Sequence, residues 1–100
     1  MSLEKQFQEY AKQWKKEKGH LSTIKRVINN PSYQAIIELG EQAVPLILNE
    51  LQRENDAWYF ALAKIAGEDP VLEEDMGFTE KMRDTWLDWG RRKGYIPTLE

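Results

Sequence analysis

The chain contains no cysteine and a single histidine, His20. Without cysteine there is no disulfide framework, no thiolate nucleophile and no Cys-based zinc site. One imidazole is too few for a tight transition-metal centre. No apolar run approaches the roughly 20 residues of a membrane span, and the opening "MSLEKQFQEY" is too charged for a secretory signal. The expectation is a cytoplasmic protein with no membrane partner. Glycine-rich phosphate cradles of the form G-x-G-x-x-G or G-x-x-x-x-G-K-[ST] are missing, as is the D-x-[DN]-x-[DN]-G spacing of a calcium loop. So is the G-x-S-x-G nucleophile turn, which leaves His20 beside Ser22 as an ordinary connector histidine. No cofactor is expected.

What the sequence does have is charge and helical periodicity. The 100 residues are 41% hydrophobic and 31% charged, the balance of one ordered α-helical domain spanning 1–100. The net charge of −3 is unevenly spread. Residues 1–30 carry seven cations and three anions, 31–80 carry two and eleven, and 81–100 carry five and three. Basic ends and an acidic middle are expected to attract each other or to be solvated. Leu99 and Glu100 resemble a cloning scar and are given no functional weight.

Apolar residues recur at helical spacing throughout, and no stretch alternates with period two. Leu3, Phe7, Tyr10 and Trp14 form one stripe, with Lys12, Lys15, Lys16 and Lys18 largely off it and Gly19 as the stop. Ser22 or Thr23 is expected to cap a short segment carrying Ile24, Val27 and Ile28. Asn30 and Pro31 read as the cap and first residue of the next helix, with Tyr33, Ile36 and Ile37 inward and Gly40 ending it. Pro45 fits only a first turn, followed by Ile47, Leu48 and Leu51 on the face of Val44. Asn55 or Asp56 is expected to cap "AWYFALAKIAG", a helix so apolar all round that it reads as central and buried. "EDPVLEEDMGF" is the one long polar stretch. Thr79 is expected to cap the last helix, which carries Met82, Trp86 and Trp89 and stops at Gly90 or, more in keeping with its pattern, Gly94. The expected fold is all-α, a compact bundle of about five helices.

The stretches "IIELGEQAVPLILNELQREN" and "WYFALAKIAGEDP" resemble HEAT repeats. There a helix ends in Leu-Gly, a turn leads through Ala-Val-Pro to a second helix, and an Ala-Leu-x-x-Ile segment precedes Asp-Pro. "LGEQAVPLI" and "ALAKIAGEDP" carry the likeness, which spans about residues 31–70. It implies an antiparallel helical pair in the middle of the chain and a binding scaffold. The flanking aromatic helices depart from the pattern and would serve as caps. The landmarks "NPSYQAII", "WYFAL" and W-L-x-W-G are also similar to a group of short bacterial proteins, a likeness that implies no activity.

Two sets of candidate contacts follow. Trp14, Trp86, Trp89 and Tyr95 are candidate partner-protein contacts, since half-exposed aromatics dominate interfaces; the same residues would otherwise fill the core. On a helical wheel Trp86, Trp89 and Met82 fall together with Gly90, which reads as a docking face, while Arg91 and Arg92 point away. Lys12, Lys15, Lys16, Arg91, Arg92 and Lys93 are candidate nucleic-acid or anion contacts; the alternative for them is a polar helix face and a favourable cationic helix end. The loop carboxylates Glu68, Asp69, Glu73, Glu74 and Asp75 lack ligand spacing and read as a solvated connection. No catalytic or metal residue is assigned. The expected function is a non-catalytic α-helical protein-interaction domain, with a nucleic-acid-associated or antitoxin-like protein as the alternative.

Overall fold

The stripe of Leu3, Phe7, Tyr10 and Trp14 does form a helix, α1 (Leu3–Lys18). In the computed structural model, which describes residues 2–18 and 28–97, Phe7 and Trp14 are fully buried and Ala11 packs between them. The segment expected around Ile24 and Val27, His20, and the stop at Gly19 lie outside the described residues. Asn30 then caps α2 (Pro31–Glu38): its Oδ1 accepts from Ser32 N at 2.8 Å and Tyr33 N at 3.3 Å. Its Nδ2 donates to Glu17 Oε1 at 2.9 Å, so the cap also ties the end of α1 to the start of α2. Leu39 and Gly40 end α2, the latter at φ +77°, a left-handed turn open to glycine without strain. A 3-10 turn (Gly40–Ala43) leads into α3 (Val44–Arg53), with Pro45 in its first turn.

The other elements are α4 (Tyr59–Ala66), a 3-10 turn (Glu73–Asp75) and α5 (Thr79–Lys93). Gly67 closes α4 and Gly94 closes α5, both in left-handed conformation. Among the described residues the fold is therefore all-α, a five-helix bundle. Helix α1 packs on α2, α2 on α4, and α3 on α5. The turn Gly40–Ala43 touches α1 to α4, with Ala43 buried among them and Glu41 and Gln42 left at the surface. The antiparallel packing in the middle of the chain is consistent with a HEAT-like pair.

Two aromatic groups organise the core. Trp14 sits 4.5 Å from Trp58 and 5.0 Å from Tyr33 between ring centroids, with Phe7 5.8 Å from Trp58. This group locks α1, α2 and the start of α4 together. Trp86 meets Trp89 edge-on at 5.0 Å, and Trp89 stacks on Tyr95 at 5.4 Å. Val71 and Ile96, in non-helical segments, are buried as well and pin the connection before α5 and the tail after it.

Three local expectations are corrected. Neither Asn55 nor Asp56 caps α4, whose first helical residue is Tyr59. Its orphan amide at Ala61 is satisfied from another helix: the Tyr33 hydroxyl accepts from Ala61 N at 2.9 Å and donates to Ala57 O at 2.9 Å. Asp56 instead accepts from the adjacent Ala57 N. Thr79 is the first residue of α5 rather than its cap; Phe78 holds the cap position without a side-chain hydrogen bond. Finally, α4 is not buried all round. Ala61 and Leu62 face the core, but Phe60 is 42% exposed and Ala63, Ile65 and Ala66 are half-buried.

Candidate functional site

The segment "WLDWGRRKGY" folds by simple rules. Gly90 is buried because α5 presses on α3 there: a Cβ on it would lie 2.5 Å from Leu48 Cδ1. The helix ends in a Schellman arrangement, with Gly94 N donating to Arg91 O at 3.2 Å and Tyr95 N donating to Gly90 O at 2.9 Å. That reversal lays Tyr95 on Trp89 and sends Ile96 back into the core. The Tyr95 hydroxyl donates to Glu41 Oε1 at 2.8 Å. This bond, with burial and the nearby charges of Glu41 and Glu68, holds the phenol above its ordinary pKa. An open cleft of about 540 Å³ lies here, lined by Leu39, Glu41, Gln42, Pro45 and Tyr95. A smaller cavity of about 150 Å³ adjoins it beside Trp89, Glu68 and Lys93.

The structure separates the aromatic candidates. Trp14 and Trp86 are fully buried and Trp89 is 4% exposed. They are corrected from candidate partner contacts to core residues: a partner resting on the folded surface reaches none of the three rings in any depth. Tyr95, half-buried at the cleft, is the one of the four that keeps surface.

The basic candidates are scattered and partly engaged. Lys15 reaches across to α3, 3.1 Å from Glu50 Oε2 and 3.7 Å from Glu54 Oε2. Glu50 is a buried carboxylate that also takes Arg53 Nη1 at 2.7 Å and Gln8 Nε2 at 3.5 Å. Burial pushes its pKa up, but the hydrogen bond and charge of Lys15, with Gln8 and Arg53, outweigh this and hold it below the usual carboxylate value. Lys12 and Lys16 are exposed on the same helix. At the other end Arg92 pairs with Asp88 at 3.1 Å and Lys93 with Glu68 at 3.7 Å. Arg91 is half-buried. The basic ends are thus drawn onto the acidic middle at Lys15–Glu50 and Lys93–Glu68, as the charge asymmetry suggested.

A different surface was not singled out from the sequence. The four exposed large apolar side chains among the described residues are Phe60, Leu72, Met76 and Phe78, at 42%, 59%, 44% and 59% exposure. One is on α4 and three are in the α4–α5 connection. Phe60 also lines a groove of about 250 Å³, together with Ile28, Ala57, Tyr59, Ala63, Asp69 and Met82. The connection is fastened near the groove by the Tyr59 hydroxyl, whose single proton points to Asn55 Oδ1, with Thr79 O a weaker second acceptor at 3.2 Å. Val71 is the anchor that turns inward, leaving its neighbour Leu72 outward. The legible signal was the apolar surplus on α4 together with Leu72, Met76 and Phe78 set among carboxylates. It was missed because that stretch reads as polar and α4 as wholly internal.

Among the described residues no group of three or more His, Asp or Glu is placed to hold a metal ion, and no helix is long and apolar enough to cross a membrane. No protein-family model, curated protein or solved structure matches the chain.

Proposed function

We propose that the chain is a small, non-catalytic α-helical protein-interaction domain whose contact surface is the α4 face and the connection to α5. The observation that carries this reading is that the four exposed large apolar side chains among the described residues, Phe60, Leu72, Met76 and Phe78, all fall on α4 and the connection that follows it, while the remaining aromatics are interior or half-buried. Singly scattered exposed apolar residues are normal, but several large ones on one helix and the segment that follows it suit a docking surface. The HEAT-like pair in the middle of the chain belongs to the same reading, because small alanines and a Pro-initiated return helix suit a scaffold that presents a helix face.

The alternative, nucleic-acid association through the basic ends, draws less support. Lys15, Arg92 and Lys93 lie against carboxylates, and phosphate contacts would have to displace those partners.

A photo-crosslinking amino acid placed at Phe60, Leu72 or Phe78 tests the reading in the protein's own cells. Discrete adducts with another protein are expected at these positions and not at Lys16 or Gln52, which are exposed elsewhere. Adducts at the control positions alone, or at none, would remove the surface from consideration.

A further inference from the structure

Resting on that reading, we infer that the occupant of this surface is a basic amphipathic helix. Three features of the surface define it. The groove floor is apolar and shaped by side chains from two helices, Phe60 and Ala63 of α4 and Met82 of α5, which is the setting for a helix laid into a groove with anchors at i, i+3, i+4 and i+7. Phe60 and Met82 in the groove supply flat and deformable apolar contact, and Met76 and Phe78, exposed in the connection that leads into α5, offer more of the same kind. The third feature is charge. Between Asp56 and Asp84 eight carboxylates stand against three cations. Two of the carboxylates are paired, Asp75 with Lys81 at 3.8 Å and Glu68 with Lys93 at 3.7 Å, and Lys81 also lies over the Phe78 ring at 5.4 Å, so the excess of negative charge persists but is smaller than the bare count. Asp69 lines the groove itself, and Glu73, Glu74 and Glu80 are exposed and interspersed in the sequence with Leu72, Met76 and Phe78. An acidic occupant would be repelled by this rim, and a neutral one would leave the rim's field unused. Lysines or arginines flanking an apolar stripe meet both features at once.

A second copy of this chain fits less well. The basic helix α1 turns its apolar stripe into its own core, so it could bring lysines to the rim but no anchors to the groove.

The test uses the intact chain and three labelled peptides of about eighteen residues, or five helical turns. One has leucine and lysine at helical spacing, one has leucine and glutamate at the same spacing, and one has leucine and lysine in strict alternation. The first is expected to bind at least tenfold tighter than either of the others, with affinity falling as salt rises. A Phe60→Ser, Phe78→Ser pair, checked by circular dichroism for retained fold, should weaken it at least tenfold without changing the charge of the rim. Glu73→Gln with Glu74→Gln should weaken it less and flatten the salt dependence. Equal or tighter binding of the glutamate peptide overturns the proposal, as does undiminished binding by the Phe pair. Self-association of the chain that disappears in the Phe pair also overturns it, assigning the face to a second copy. If no peptide binds while crosslinks still form at Phe60 and Phe78, the interaction surface stands and only this partner chemistry fails. If both are absent, both readings fail.

Discussion

Tyr33 shows how one residue can matter more than its composition class suggests. By spacing it belongs to an apolar stripe of α2, and its ring does fill the core against Trp14 and Trp58. Its hydroxyl does something the spacing does not reveal. It bridges Ala57 O and Ala61 N, supplying to α4 the cap that no residue of its own sequence provides. Burial raises the phenol pKa well above its ordinary value, which keeps the proton available for that donation. Tyr33→Phe preserves the packing and strips the bridge, leaving the buried Ala61 amide and the half-buried Ala57 carbonyl without this partner. A loss of about 1–3 kcal/mol is expected, read as a lower urea midpoint with the slope unchanged. An unaltered midpoint would mean that water replaces the hydroxyl and that α4 needs no such cap.

At the scale of elements, the sequence was informative wherever a single residue type forces a local conformation. Asn30-Pro31, Gly40, Pro45, Gly67 and Gly94 each stand where their backbone preferences placed them. The starts of α4 and α5 were misjudged because a capping-type residue nearby, Asp56 or Thr79, is a weaker constraint than tertiary packing. The exposed face of α4 was illegible for a related reason: periodicity tells which residues are apolar, not how many sides of a helix have neighbours. Gly90 is the clearest contact between elements. In an α-helix alanine is favoured over glycine by about 1 kcal/mol. Here the new methyl would overlap Leu48, which is fully buried and cannot swing into solvent, and overpacking costs about 1–3 kcal/mol. Gly90→Ala should therefore be net destabilising by about 1 kcal/mol in the native protein. In a Leu48→Ala background the overlap is gone, and the same change should become stabilising. Thermal melts of the four proteins check this; the same sign in both backgrounds would show that α5 does not approach α3 through Gly90.

For the whole molecule, the charge asymmetry visible along the chain becomes a set of contacts in space, and Glu50 is where it matters for folding. Its position on α3 gave no warning of burial, since Ile47, Leu48 and Leu51 already mark the inward face; only the arrival of α1 covers it. Lys15, Gln8 and Arg53 then hold the carboxylate ionised against its burial, with a folded pKa below the ordinary glutamate value. A depressed folded pKa means the unfolded chain binds the proton more readily. The stabilisation is therefore complete above the unfolded pKa and is lost as pH falls through the folded one. Glu17, lowered first by its hydrogen bond to Asn30, acts in the same direction. Stability should be flat near neutrality and decline as the pH drops below about 4.5. Glu50→Gln should cost about 1 kcal/mol at pH 7, a modest figure because Arg53 and part of Lys15 are open to solvent and screened. Its acid decline should be shallower, so that the two denaturation midpoints draw together by pH 3. Parallel curves for the two proteins would show that α1 is held to α3 by its apolar stripe alone, and that the basic end of the chain is free to meet something else.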